Sequence, residues 1–197
     1  ASRRALRGVW SIALPAAVAL LVAAAGAAPP QPLTFTDVTA AAGLNGVIHV
    51  HGGTGRKYYL ETVPPGVCWL DFDRDGWQDA YFVQSGPLPG TPRPAGTPHS
   101  RLFRNRGDGT FMDVTDGAGV ANASGYGSGC TAGDYDNDGD EDLYVTNFGP
   151  SVLYRNNGDG TFTDVAGQAG VKNGLYAASA AWVDYDNDGS LDLFVAN

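Results

Sequence analysis

An acidic run of nine residues occurs three times in this chain, at 71–79, 134–142 and 184–192. Each run carries Asp at positions 1, 3, 5 and 9 and Gly at position 6. Four carboxylates in one tight turn repel one another, and a bound hard cation removes that repulsion. Calcium suits the set best, because it accepts about six to eight oxygen ligands in flexible geometry. The pattern therefore predicts three calcium ions, one in each loop.

The predicted ligands are the side chains at loop positions 1, 3, 5 and 9 and the backbone carbonyl at position 7. A main-chain ligand explains why the residue type at position 7 varies between loops, and Gly at position 6 permits the sharp bend. The three predicted ligand sets are Asp71, Asp73, Asp75, Trp77 and Asp79; Asp134, Asp136, Asp138, Asp140 and Asp142; and Asp184, Asp186, Asp188, Ser190 and Asp192.

The flanking residues distinguish these loops from EF-hands. An EF-hand loop ends at position 12 in a bidentate Glu and lies between two helices. Position 12 is here Phe82, Val145 or Val195, none of which binds a cation. The residues after each loop, such as LYVTN and LFVAN, alternate and favour strands. Each loop is therefore predicted to be the turn of a β-hairpin.

A second repeated segment sets the architecture. Residues 102–120 return at 153–171, an offset of 51, and a degenerate copy occupies 33–44. Repeats of about 50 residues with four strand signals each predict β-propeller blades. In the second unit the predicted strands are 129–133, 143–147, 152–155 and 162–165. The NxGDG segments at 105–109 and 156–160 are predicted to be tight turns between the last two strands.

The LYRNxGDGTFxDVT run, joined to the DxDxDGxxD loop, resembles FG-GAP/VCBS repeats, in particular those of the cartilage acidic protein family and its bacterial relatives. The resemblance covers about 33–197. It implies an all-β fold of about two and a half to three blades of an incomplete seven-bladed propeller. It also implies that cations bind at one face and partners at the other. The partner-facing loops would be 43–57, 85–100, 147–151 and 167–176.

The domain division follows from the repeats and the N-terminus. Three arginines followed by an apolar stretch and Ala-Gly-Ala predict a signal helix over 1–28, with a retained membrane anchor as the alternative. A linker follows at 29–32. The repeats are predicted over 33–197, as units 33–101, 102–152 and a shortened 153–197. The last unit stops after its second strand, which predicts a fragment with an open array; closure by self-association is the alternative.

Charge excludes one class of partner. The chain carries −9 overall, and without residues 1–28 it carries 9 basic and 21 acidic residues, hence −12. Twelve of the acids are predicted calcium ligands, and no basic cluster favours nucleic acid. The aromatic residues Trp69, Trp77, Trp182, Tyr135 and Tyr185 are predicted to pack between blades.

The two cysteines are predicted to be buried free thiols. Cys68 lies three residues before its acidic loop and Cys130 lies four before the next. On a strand this difference in parity directs the side chains to opposite faces. Export permits a disulfide, which stays open as the alternative.

These features predict a secreted, extracellular or periplasmic, calcium-binding module that recognises a protein or a glycan. No GxSxG element, catalytic Cys–His pair or zinc cluster is present in the sequence, which predicts a non-catalytic role. The alternative is the propeller portion of a secreted polysaccharide-active enzyme whose catalytic residues lie in further sequence.

Overall fold

The computed structural model describes residues 33–50, 52, 58–88 and 90–197. The predicted signal segment and linker, 1–32, lie outside these residues. The repeats belong to the unit that extends from Asp37 to Asn197. Outside it, residues 33–36 form no helix or strand.

The described residues form two four-stranded antiparallel sheets and a hairpin, each built from consecutive strands. The first sheet, blade one, contains β1 (Val67–Leu70), β2 (Asp79–Phe82), β3 (Arg101–Asn105) and β4 (Phe111–Asp113). Blade two contains β5 (Gly127–Gly133), β6 (Asp142–Asn147), β7 (Val152–Asn156) and β8 (Phe162–Asp164). The third hairpin contains β9 (Ser179–Val183) and β10 (Asp192–Ala196). This arrangement confirms the all-β, propeller-like repeats.

The predicted strands of the second unit are confirmed to within two residues. The acidic loops join the first two strands of each unit, and the NxGDG turns join the last two. In the latter turns Arg106 and Asn157 donate backbone hydrogen bonds to Thr110 and Thr161. Two short helical segments were not predicted, a 3₁₀ turn at Tyr59–Thr62 and α1 (Thr115–Ala118), because four residues are too few to show a helical period.

The cores lie between successive blades. In the first core, Leu70, Tyr81 and Leu102 of blade one pack against one face of blade two. In the second core, Tyr144, Leu153 and Val165 from the other face of blade two pack against the third hairpin. The same contact recurs in both, since the buried Tyr81 and Tyr144 hydroxyls donate to the carbonyls of Val120 and Val171 at 2.8 and 2.9 Å. Phe194 holds the equivalent place in the third hairpin and is 65% exposed. Each blade therefore completes the core of its neighbour.

The prediction of free thiols is wrong, because Cys68 and Cys130 form a disulfide with their Cα atoms 5.9 Å apart. The two side chains do point to opposite faces of their own sheets, as their parity predicts. The inference that they cannot meet assumed that both strands lie in one sheet. The two residues lie on β1 and β5, strands of different sheets that pack face to face. Opposite faces of equivalent strands meet when one sheet stacks on the next. The strands approach closely beside the bridge, since the N–H of Gly66 donates to the carbonyl of Ser128 at 3.0 Å.

The predicted packing of aromatic residues holds for part of the set. The Trp182 ring stacks on Tyr135 with centroids 6.2 Å apart and meets the Tyr144 ring edge-on at 6.4 Å. Trp69, Trp77 and Tyr185 are more than half exposed. They lie on faces or loops that no described blade covers.

No helix among the described residues has the length and apolar character needed to cross a membrane.

Candidate metal centres

The three acidic loops share one backbone conformation. Position 4 adopts a left-handed φ of 57°, 59° and 65° at Arg74, Asn137 and Asn187. The Gly at position 6 has φ of 85–91° in all three loops. A residue with a Cβ rarely adopts this conformation, so the glycine gives the bend that was predicted for it.

Backbone N–H groups hold the carboxylates in the same way in each loop. The position 1 aspartate accepts from the N–H groups of positions 5 and 6, at 2.9–3.1 Å. The position 5 aspartate accepts from the N–H of position 7, and the position 9 aspartate accepts from the N–H of position 2. The loop sequence therefore places its own carboxylates.

These contacts bring three carboxylates of each loop together. One oxygen from each of positions 1, 3 and 9 lies within 4.8 Å of the other two. The three groups are Asp71, Asp73 and Asp79; Asp134, Asp136 and Asp142; and Asp184, Asp186 and Asp192. The position 5 carboxylates are outside these groups. Ligation by Asp75, Asp138, Asp188 and the carbonyls of Trp77, Asp140 and Ser190 stays a prediction.

The carboxylate at position 9 is buried in the two complete blades. Asp79 and Asp142 are 0% exposed. Burial raises the pKa of each to about 6, opposed by hydrogen bonds from backbone N–H groups and reinforced by the neighbouring aspartates of the loop. A buried carboxylate among like charges is costly unless a cation accompanies it.

Asp73 adds a specific indication of a cation. Its Oδ1 is buried and has no hydrogen-bond partner in the structure, whereas its Oδ2 lies 2.5 Å from Nε of Arg104. An unpartnered carboxylate oxygen inside a group of carboxylates fits a metal ligand. The donors are all hard oxygens. Calcium prefers such ligands, whereas softer metals prefer nitrogen and sulfur. The residues present therefore fit calcium.

The third strand of each blade contributes residues that the sequence interpretation missed. The backbone N–H groups of Asn105 and Asn156 donate to Asp79 and Asp142, at 2.7 and 2.8 Å. Arg104 contacts Asp73 and also donates to Asp75 at 3.2 Å. All three belong to the LxRN run, whose recurrence in both units was the available signal.

The repeats and their acidic loops define a class, the FG-GAP-like repeat proteins with propeller-like blades. A family model described as an FG-GAP-like repeat matches residues 71–145 and 134–195. The chain belongs to this family, and the resemblance found in the sequence is confirmed.

Two curated relatives share part of the chain. Cartilage acidic protein 1 of Xenopus tropicalis is 38% identical over 71 residues, 34% of this chain and 11% of the relative. Cartilage acidic protein 1 of Homo sapiens is 41% identical over 69 residues, 33% of this chain and 10% of the relative. The chain thus matches about a tenth of the length of these relatives.

Proposed function

We propose that this protein is a calcium-stabilised β-propeller module that is exported and binds a protein or a glycan outside the cell, without catalysing a reaction. The observation that carries the proposal is the convergence of three carboxylates at the same hairpin turn of three successive repeats. One calcium ion per loop would neutralise each group and hold the hairpin in place.

Calcium acts here on stability. An ion that binds the folded chain and not the unfolded one stabilises the fold by about 2.7 kcal/mol at a free concentration of 100 times Kd. We therefore expect millimolar calcium to raise the melting temperature and EDTA to reverse the rise. Isothermal titration calorimetry should find about three ions per chain.

A matched variant controls this experiment. Asp73→Asn, Asp136→Asn and Asp186→Asn together remove one predicted ligand from each loop without changing side-chain size. The triple variant should show little calcium-dependent stabilisation. A parent protein with no bound calcium and no melting shift would contradict the proposal.

The loops at the opposite end of the blades supply the proposed partner face. In an antiparallel meander the connection between the second and third strands lies at the end away from the first turn. These connections, 85–100 in blade one and 147–151 in blade two, flank a cavity of about 490 Å³. Arg93 anchors the longer connection by donating to the carbonyls of Ser85, Ala123 and Gly125, and burial lowers the pKa of its guanidinium.

Binding at this face is tested with immobilised glycans and matrix proteins. We expect retention of the calcium-loaded parent on at least one of these probes and weaker retention of a variant with Phe148→Ala, since this ring lines the cavity and is 39% exposed. Arg106→Ala, an exposed residue of the NxGDG turn at the acidic-loop end, is the control. Retention that survives Phe148→Ala and fails with Arg106→Ala would contradict the assignment of the face.

The non-catalytic role separates this proposal from the alternative of a polysaccharide-active enzyme. Incubation of the calcium-loaded chain with polysaccharides should release no new reducing ends. Release of product would favour the enzyme.

Export is tested by expressing the full chain and sequencing the N-terminus of the protein recovered outside the cytoplasm. We expect a new N-terminus near residue 29. Retention of an intact N-terminus in the membrane fraction would favour the anchor.

A further inference from the structure

The first two acidic loops contact each other directly. The backbone N–H of Asp71, at position 1 of the first loop, donates to Oε2 of Glu141 in the second loop at 2.6 Å. In the opposite direction, Nε of Arg74 lies 3.0 Å from Oδ1 of Asp140, whose side chain is only 11% exposed. Two predicted calcium sites are therefore joined through the backbone of Asp71 and through the side chains of Glu141, Arg74 and Asp140, none of which is predicted to bind the ion by its side chain.

A third contact extends the connection to blade two. Nδ2 of the buried Asn156 donates to the carbonyl of Phe72, at position 2 of the first loop, over 2.7 Å. The backbone N–H of the same asparagine donates to Asp142, the position 9 carboxylate of the second loop. One residue thus holds the start of the first loop and the end of the second.

We propose that Arg74, Glu141 and Asn156 are positioning residues that make calcium binding at the first two loops positively cooperative. The proposal rests on the proposed calcium function. Calcium in the second loop would order positions 7 to 9, which carry Asp140 and Glu141. These side chains then hold Asp71 and Arg74 of the first loop in the conformation that calcium requires. A site ordered in advance binds its ion with a smaller loss of conformational entropy.

Arg74 has a second effect in the same direction. It is a cation at position 4 of the first loop, where its charge opposes calcium. Its ion pair with Asp140 gives that charge a partner in the neighbouring loop. Loss of the pair would leave the positive charge unneutralised beside the first site.

The second and third loops provide an internal comparison. Among the described residues, the hydrogen bond between them is a single one, from Nδ2 of the exposed Asn137 to the carbonyl of Gly189 at 3.4 Å. A long bond at an exposed position stabilises little. The third site should therefore bind independently of the second.

The test measures calcium affinity at one site while the other is removed. In an Asp186→Asn background, which removes the third site, calorimetry follows the first and second sites alone. Adding Asp136→Asn should weaken the first site by about tenfold, within the usual range of coupling between sites. Adding Asp73→Asn should weaken the second site by the same factor, because coupling of binding is reciprocal. If Asp136→Asn does not fold, Asp138→Asn provides a second way to remove that site.

The positioning residues are tested in the same background. With Arg74→Gln and Glu141→Gln together, the effect of Asp136→Asn on the first site should fall to less than about threefold. The charge exchange Arg74→Asp with Asp140→Arg re-forms the ion pair with its charges reversed, so it should restore part of the coupling between the first and second sites. If the loss of coupling came from a general loss of stability, the exchange would not restore it. Asn137→Ala is the matched control and should leave the coupling unchanged.

The outcomes separate the two proposals. A chain that binds no calcium contradicts the calcium function and with it the coupling. Three sites that bind with independent affinities leave the calcium function intact and overturn the coupling. Coupling that persists undiminished in the Arg74→Gln, Glu141→Gln variant overturns the assignment of these residues.

Discussion

Blade two and the third hairpin carry the same acidic loop in different surroundings. The hydrogen bonds within the two loops agree to within 0.2 Å. Asp142, however, also accepts from the N–H of Asn156 on the third strand and is fully buried, whereas Asp192 is exposed. The comparison shows that the loop sequence sets the conformation of the turn, while the third strand sets the burial of its ninth residue.

The largest expected difference between the two regions comes from the disulfide, which joins blade two to blade one and not to the hairpin. Replacing Cys68 and Cys130 by Ala should lower the free energy of unfolding by about 4 kcal/mol, because the bridge restricts the unfolded chain across 62 residues. Denaturant unfolding in saturating calcium measures the loss. A reductant should destabilise the parent equally and leave the variant unchanged; a parent insensitive to reductant would contradict the estimate.

The next difference is between the two position 9 carboxylates. In calcium-saturated protein, Asp142→Asn should lower the free energy of unfolding by about 1–3 kcal/mol more than Asp192→Asn does. The amide NH₂ of the new asparagine cannot accept a hydrogen bond, so one buried backbone N–H is left without an acceptor. At the exposed position water can accept that hydrogen bond. Thermal or denaturant unfolding of the two variants gives the comparison. Equal losses would mean that the third strand has little influence on the site.

Arg104, on the third strand of blade one, tests whether a third strand also affects calcium affinity, a contact that the hairpin lacks among the described residues. It orients Asp73 from outside the carboxylate group, and outer partners of metal ligands typically affect affinity by about 10- to 100-fold. Because its positive charge partly opposes calcium, we expect Arg104→Gln to weaken the first site by only about three- to tenfold. Arg101→Gln, on the same strand but paired with Asp113, is the control. A rise in affinity would show that the opposing charge outweighs the orientation.

A final expected effect is a pH dependence that arises in the two complete blades. The pKa values of Asp79 and Asp142 are raised to about 6 in the fold, from an ordinary value of 3.8. Calcium-free protein therefore binds more protons folded than unfolded between pH 4 and 6, so these groups make stability fall as pH rises through that window. Calcium requires the deprotonated form, so its affinity should rise with pH through about 6.

Melting temperatures of calcium-free parent and Asp79→Asn at pH 5 and pH 7 measure this effect. The decline toward pH 7 should be smaller in the variant. An identical decline in both proteins would assign the pH dependence to other carboxylates.

Local patterns predicted the blades well. The strands of unit two followed from alternation and from turn residues, and the glycine at position 6 of each loop followed from the bend it allows. The convergence of positions 1, 3 and 9 followed from one nine-residue motif. Each of these features is decided by residues close together in sequence.

The contacts between repeats could not be predicted in this way. Glu141 and Asp71 are 70 residues apart, and Asn156 and Phe72 are 84 apart. The disulfide was missed for a related reason. Parity along a strand tells which face of its own sheet a side chain occupies, but not which face of the neighbouring sheet lies opposite. The stacking of one blade on the next supplies that information.

The anchoring of the 85–100 connection by Arg93 has a consequence for how such a scaffold can change. The guanidinium ties the base of the connection to carbonyls of the segment that leads into blade two. Residues 94–96 beyond it are exposed. Substitutions at this tip can accumulate without disturbing the sheets. If the connection binds a partner as proposed, a lineage can therefore change its specificity there while the acidic loops at the other end stay the same.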